Sequence, residues 1–283
     1  MSKVFMITGV SAGGLGRAFA TAALDAGHTV VGTVRDPAQL AEFEAIAAGR
    51  AFGRVLDVTH LDRIAPVLAE VEETFGRIDV LINNAGYGVK GVFEETPLDT
   101  FRHQFEVNVF GTIAVTQAAL AGMRARRAGH ILFITSMGGL RAFPGLSAYH
   151  GTKYALEGIA DALRMEVQPF GIHVTSVEPG SFRTDFAGRS MTRVPRRITD
   201  YDTTFDPIRQ LRFDRDGYQV GDPAKAAKAI LTLIEAAEPP GHLILGEDAL
   251  RLVRAARQSI DDEIEAWEKV SVSTGYPDGA AVG

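Results

Sequence analysis

Ser136, Tyr149 and Lys153 are three side chains of this sequence that could share one proton transfer. From Tyr149 to Val167 the apolar spacing is helical, so Tyr149 and Lys153, four positions apart, share a helix face. An ammonium beside a phenol stabilises the phenolate and lowers a pKa that is about 10 when unperturbed. Such a group can protonate a carbonyl oxygen or take the proton from an alcohol. Ser136 can hydrogen-bond that same oxygen. A Tyr and a Lys at this spacing also arise by chance on surface helices, so the pair gains its meaning from its surroundings.

Those surroundings are a series of strands and helices. His130 to Thr135 is an apolar run of strand length, which puts Ser136 at a strand's C-terminal end, ahead of a Gly/Pro loop. At the start of the chain, Val4 to Thr8 reads as a buried strand. The glycine-rich turn Gly9 to Gly16 and a helix over about 17–26 follow. This order makes a phosphate cradle: glycines admit the phosphates and the helix N-terminus offers N–H groups. Its candidate contacts are Gly9, Ser11, Gly14, Leu15 and Gly16, with Gly13 and Gly14 competing for the place under the phosphates. A second strand, Thr29 to Val34, ends at Arg35, where an Arg accommodates a ribose 2′-phosphate. Asp36 competes for that position, but ahead of Pro37 it reads as the cap of a helix over 37–48.

A third strand is expected from Arg54 to Val58. Asp57, at its edge and beside Val58, either meets an adenine amino group or serves as a cap or turn residue. A helix over 61–75 and a strand over 78–82 lead into Asn83-Asn84-Ala85-Gly86, where small residues let a cofactor pass. A long helix from Pro97 to about Arg126 contains Asn108, either a satisfied structural amide or part of a proton path. After the Tyr149 helix comes a strand over 172–177, then Pro179, Gly180 and Thr184. Residues 186–220 show no period and are rich in Arg, the look of an active-site lid that is mobile without substrate. The Arg cluster either attracts an anionic substrate or is simply solvated. Asp222 caps a helix to about 237, and 242–245 is a last strand. Leu250, Val253, Ile260, Ile264 and Trp267 mark an amphipathic helix, either an oligomer contact or docked on its own subunit. Residues 271–283 read as a loose tail. Alternating strands and helices imply an α/β fold with a parallel sheet covered on both faces.

Composition narrows the class. The 283 residues are 46% hydrophobic and 23% charged, as in a soluble globular protein, with a net charge of −6 that argues against nucleic acid as a partner. No apolar run has membrane-spanning length and no signal-peptide pattern opens the chain, so the cytoplasm is the expected compartment. There is no Cys, and the seven His lack ligand spacing, so no metal site is expected.

Thr8-Gly9…Gly14-x-Gly16, Asn83-Asn84-Ala85-Gly86, Asn108, Ser136, Tyr149-x-x-x-Lys153 and Pro179-Gly180…Thr184, in this order, resemble the short-chain dehydrogenase/reductase family over about residues 3–246. The branch acting on steroids, retinoids and other apolar carbonyls is the most similar. One residue is inserted between Gly9 and Gly14 relative to the family pattern. The resemblance implies a single Rossmann-type, doubly wound domain of about seven strands over 1–246, with 247–283 as a helix and tail. It implies Tyr149 as acid/base and Lys153 as the group that lowers its pKa and holds the nicotinamide ribose. Ser136 would orient the substrate, Asn108 would support a water-linked relay, and Asn84, Ala85, Gly86, Pro179, Gly180 and Thr184 would meet the cofactor.

The function expected is an oxidoreductase interconverting a ketone or aldehyde and an alcohol, with NADP(H) preferred through Arg35 and NAD(H) as the alternative. Phe143, Phe182 and Phe186 are the leading substrate-pocket candidates, with Phe93, Met137, Leu140, Leu146 and Met191 behind them. Two other readings use the same fold: a lyase or isomerase such as a sugar-nucleotide epimerase, and a cofactor-sensing protein without turnover. A homodimer or homotetramer is expected.

Overall fold

The computed structural model describes residues 2–205 and 218–276. Its centre is a seven-stranded, all-parallel sheet. The strands are β1 (Val4–Ile7), β2 (Thr29–Val34), β3 (Ala51–Val55), β4 (Val80–Asn83), β6 (Gly129–Ile134), β7 (Ile172–Pro179) and β9 (His242–Leu245). Their order is β3-β2-β1-β4-β6-β7-β9. The strands read as apolar runs rather than alternations because both faces are covered: all four residues of β1 are buried.

Helices α1 (Leu15–Asp25) and α7 (Pro223–Glu235) close one face over Phe5, Ile7, Val30, Ile82 and Val177. Helices α3 (Leu61–Phe75), α5 (Gly111–Arg126) and α6 (Ser147–Val167) close the other over Met6, Val31, Leu81, Phe133 and Val174. The strand order reverses between β1 and β4. Chain connections diverge there, and a crevice opens at the strands' C-terminal ends. This is the single-domain Rossmann-type architecture the sequence implies.

Several element boundaries differ from expectation. The third strand begins at Ala51 rather than Arg54, and Asp57 and Val58 lie beyond it. Gly53 disguises the strand; it is there because a Cβ would come within 2.6 Å of Leu40 Cδ2. The helix expected over 37–48 is a 3₁₀ turn, Pro37–Gln39, followed by the short helix α2 (Leu40–Glu44). Asp36 does cap it, accepting from the Ala38 N–H at 2.9 Å. The long helix to Arg126 is α4 (Leu98–Phe105), a π-turn at Glu106–Phe110, then α5. Asn108 sits on the wide turn, a feature frequent at functional sites.

Two three-residue strands, β5 (Gly88–Lys90) and β8 (Met191–Arg193), pair in parallel; both are too short to show a period in sequence. The last helix, α8 (Glu247–Val272), buries only Ala249 and Val253. Val253 docks the start of the stripe, whereas Ile260, Ile264 and Trp267 stay exposed, the last at 65%, so the stripe beyond Val253 does not dock on the described part of its own chain.

The two halves of the crevice are tied by Asn84. Its amide donates to the carbonyls of Thr8 (2.9 Å) and Gly9 (2.8 Å), while the Thr8 hydroxyl accepts from the N–H groups of Asn84 and Ala85. Asn84→Ala orphans two partly buried carbonyls, a loss of about 1–3 kcal/mol. Urea unfolding should show that loss at unchanged m-value. A change under about 0.5 kcal/mol, the scatter of ordinary surface substitutions, would show that the tie contributes nothing to the fold.

Candidate active site

A cleft of about 2140 Å³ runs along the C-terminal ends of the strands. Every catalytic and cofactor candidate from the sequence lines it except Gly16 and Asn108. On the cofactor side, Gly9 (φ +74°) and Gly13 (φ +78°) adopt backbone that favours glycine. Gly14 faces the cleft as the N-cap of α1. Gly13 instead turns away: its carbonyl accepts from the Asp185 N–H at 3.0 Å, and a Cβ there would overlap the Asp185 carboxylate. Gly16 lies behind the turn, where a Cβ would stand 2.4 Å from the Gly9 carbonyl oxygen.

Ser11 donates to Gln39 at 2.8 Å, and exposed Arg35 stands beside them at the end of β2. Asp57 behaves as a turn residue that also lines the cleft: its Oδ1 accepts from the N–H and hydroxyl of Thr59. Burial raises its pKa, but the Thr59 hydrogen bonds and the Arg35 charge outweigh burial and hold the carboxyl below the usual range. The glycine bend and the open helix N-terminus fit a dinucleotide phosphate.

At the other end, β6 delivers Ser136 and α6 delivers Tyr149 and Lys153. Lys153 is buried, and its ammonium donates to the Ile134 carbonyl at 2.7 Å. Burial pushes the Tyr149 phenol up to about 12, against a hydrogen bond from Ser136 that pulls it down. Desolvation of the phenolate is the larger effect and opposes the lowering expected from Lys153. Burial also pushes Lys153 down to about 8, opposed by the Glu157 charge.

Asn108 is buried with its amide fully engaged. It donates to the Tyr87 carbonyl (2.9 Å) and the Thr152 hydroxyl (3.0 Å) and accepts from the Tyr87 N–H (3.0 Å). Of the two readings open for it, the geometry is that of a structural amide joining the end of β4 to α6.

Phe143, Phe182 and Phe186 all line the cleft, as do Met137, Leu146 and Met191. The Phe186 ring centroid is 5.7 Å from that of Tyr149. Phe93 does not belong: it is 71% exposed and packs on Phe101. Leu140 is absent from the lining too. Sequence reasoning missed His150. Its Nδ1–H donates to the Gly138 carbonyl (2.7 Å) and its Nε2 accepts from the Phe143 N–H (2.9 Å), so a neutral ring clamps the Ser136 loop onto α6. Its place directly after Tyr149 was the available signal.

Residues 185–205 are mostly turns and coil, held by several contacts. Arg189 donates to the Ala12 carbonyl, β8 pairs with β5, and the Glu95 carboxylate accepts from Arg196 and from the N–H groups of Arg197 and Ile198. Arg189 and Arg196 also pair with Asp185 and Asp202, so neither is simply solvated. The rest of the expected lid, 206–217, lies outside the described residues.

The short chain dehydrogenase family model matches residues 3–194. The chain belongs to that family. It is an oxidoreductase by this membership. It is 38% identical to the oxidoreductase BOA17 of Botryotinia fuckeliana over 97% of this chain and 100% of that one. Human retinol dehydrogenase 8 is 35% identical over 75% of this chain and 71% of its own. A short-chain dehydrogenase structure from Streptomyces avermitilis aligns with a TM-score of 0.91 at 43% identity, covering 98% and 100% of the two chains. The structure of ElxO with NADP bound aligns at 0.73 and 26% identity, covering 89% and 100%.

The lowered Lys153 pKa has a measurable sign. Between about pH 8 and the ordinary value of 10.5 the unfolded chain holds a proton that the folded chain has released, so stability rises with pH across this window. Lys153→Met removes that slope. Without cofactor, the parent should gain on the variant by on the order of 2 kcal/mol between pH 7.5 and 10. Parallel pH–stability profiles would show that Lys153 titrates normally.

Proposed function

We propose that this protein is an NADP(H)-dependent oxidoreductase that interconverts an apolar ketone or aldehyde and its alcohol, with Tyr149 as the acid/base. The observation that carries the reading is the buried Tyr149, with Lys153 beside its ring, Phe186 facing it and Ser136 lining the same cleft. When bound, the nicotinamide supplies or accepts the hydride. The chain's own residues manage the proton and the geometry. At neutral pH the high pKa keeps Tyr149 protonated, which suits donation to a carbonyl oxygen. Ser136, whose Oγ accepts from the Gly138 N–H, keeps its hydroxyl hydrogen for the same oxygen. Lys153 keeps donors beyond the one engaged by Ile134 for a ribose hydroxyl or the phenolate.

Phe143, Phe186 and Met191 give the cleft an apolar wall suited to a hydrophobic substrate, in line with the retinol named for the human relative. NADP(H) over NAD(H) is supported by Arg35 at the end of β2, by the capping use of Asp36, and by the NADP named for ElxO. The exposed stripe on α8 supports a homo-oligomer.

With NADPH and a panel of hydrophobic ketones, aldehydes and quinones, Tyr149→Phe should lose at least about 100-fold in kcat, the contribution of a positioned proton donor, with NADPH affinity nearly unchanged. Substantial turnover by this variant would remove Tyr149 from the chemistry.

Arg35→Ala tests cofactor choice separately. A charge-assisted hydrogen bond is worth about 1.5–3 kcal/mol, so NADPH should bind about 10–100-fold more weakly while NADH is spared. Nicotinamide fluorescence titrations read both. Equal affinities in the parent, or equal losses in the variant, would show that Arg35 does not read the 2′-phosphate.

A further inference from the structure

The face of α6 that carries Tyr149 and Lys153 continues at the same four-residue spacing to Glu157 and Asp161. Away from the cleft this face meets β7 and the edge strand β9. There Glu157, Glu178 and His242 converge, with one ligand atom from each lying within 4.8 Å of the others. The Glu178 side chain is 0% exposed and that of Glu157 7%. His242 Nδ1 stands 2.8 Å from Glu178 Oε1 and 3.6 Å from Glu157 Oε2. On the ring's other side, Nε2 is 3.2 Å from Asp161 Oδ1, and Asp161 pairs with Arg164 at 2.9 Å.

The buried carboxylates are not all answered. His242 Nδ1 lies at hydrogen-bond distance from Glu178 Oε1 and answers that oxygen when the ring hydrogen sits on Nδ1; with the hydrogen on Nε2, beside Asp161, Nδ1 turns a lone pair to the same place. Glu178 Oε2 and both Glu157 oxygens are buried without a hydrogen-bond partner. The Thr135 and Ser176 hydroxyls lie beside Glu157 and pull its pKa down, but burial prevails and raises it. Thr135 already gives its hydrogen to the Val177 carbonyl. One proton could answer one of these oxygens; a doubly charged ion answers both carboxylates.

We propose that Glu157, Glu178 and His242 bind one divalent transition-metal ion of the zinc class, with Asp161 orienting the imidazole. Ligands at about 2.0–2.2 Å from a tetrahedral centre are about 3.3 Å apart, and the 2.8 and 3.6 Å separations fall on either side of that spacing. A mixed imidazole and carboxylate set suits zinc, whereas calcium and magnesium prefer oxygen alone. A carboxylate on the second imidazole nitrogen is the usual partner of a metal-bound His. His242 is 41% exposed, which leaves an entry path and an open fourth position for water. The ion joins the edge strand β9 to β7 and to the helix that holds Tyr149 and Lys153. Its ligands come from residues 157, 178 and 242, so the spacing of His residues, on which the expectation of no metal rested, could not reveal it.

The test uses untagged full-length protein, dialysed against a chelator and free of nucleotide. Titration with Zn²⁺ against a chromophoric chelator should show one equivalent bound per chain and a rise in melting temperature. Co²⁺ should give the visible bands of tetrahedral coordination. His242→Ala and Glu178→Gln should each weaken Zn²⁺ binding at least about tenfold. Should Glu178→Gln fail to fold, His242→Ala, which changes a partly exposed side chain, decides alone. The absence of stoichiometric uptake would overturn the proposal and assign the cation to a shared proton. Uptake undiminished in the variants would overturn it as well.

Discussion

Lys153 is a cation without water around it, and the centre of the molecule depends on how it is held. Its ammonium donates to the Ile134 carbonyl, at the last residue of β6. That carbonyl lies one residue past the last pairing of β6 with β4, at Phe133. The same strand end presents Ser136. Helix α6 must cross the strand end at a set height for the ammonium to arrive, and Tyr149, one turn earlier, then falls beside Ser136. One hydrogen bond thus helps to set the axial position of the helix that carries Tyr149 and Lys153. Burying two ionisable side chains is unfavourable. The pKa values of both move toward the neutral forms as a result, Tyr149 upward and Lys153 downward.

Neutral hydrogen bonds hold the neighbouring backbone to the same helix. His150 follows Tyr149 directly and bonds the carbonyl of Gly138 and the N–H of Phe143, two ends of one loop. Gly138 has no Cβ because His150 Nδ1 would lie 2.8 Å from it. On the opposite side of α6, Thr152 accepts from Asn108, which holds both backbone groups of Tyr87. The β6 loop and the β4–β5 connection are therefore both keyed to α6, one on either flank of Tyr149 and Lys153.

The seven strands, the glycine turn and the Ser136, Tyr149 and Lys153 set were legible because each rests on local pattern: apolar runs, glycine between strand and helix, and side chains one turn apart. What escaped depends on long-range contact. Gly53 broke the apparent third strand although it serves packing against Leu40. Strand β8 is three residues long and exists only because β5 pairs with it, across a hundred residues of chain. The effect of Lys153 on Tyr149 was legible in sign as a pair interaction. The burial that overrides it belongs to the whole fold, and no spacing expresses that.

The strap after β7 joins the two ends of the cleft through adjacent residues. Asp185 gives its N–H to the Gly13 carbonyl, on the turn that opens the phosphate cradle. Phe186, the next residue, places its ring beside that of Tyr149. Consecutive Cα atoms are about 3.8 Å apart across a rigid peptide, so a shift of the glycine turn reaches the aromatic wall within one peptide unit. The turn presents Gly14 to the cleft and Gly13 to the strap. Arg189 adds a second hold on that turn at Ala12, and β8 carries the strap back to β5 beside the substrate end. The glycine turn and the aromatic wall are thus joined through a few bonds of one segment.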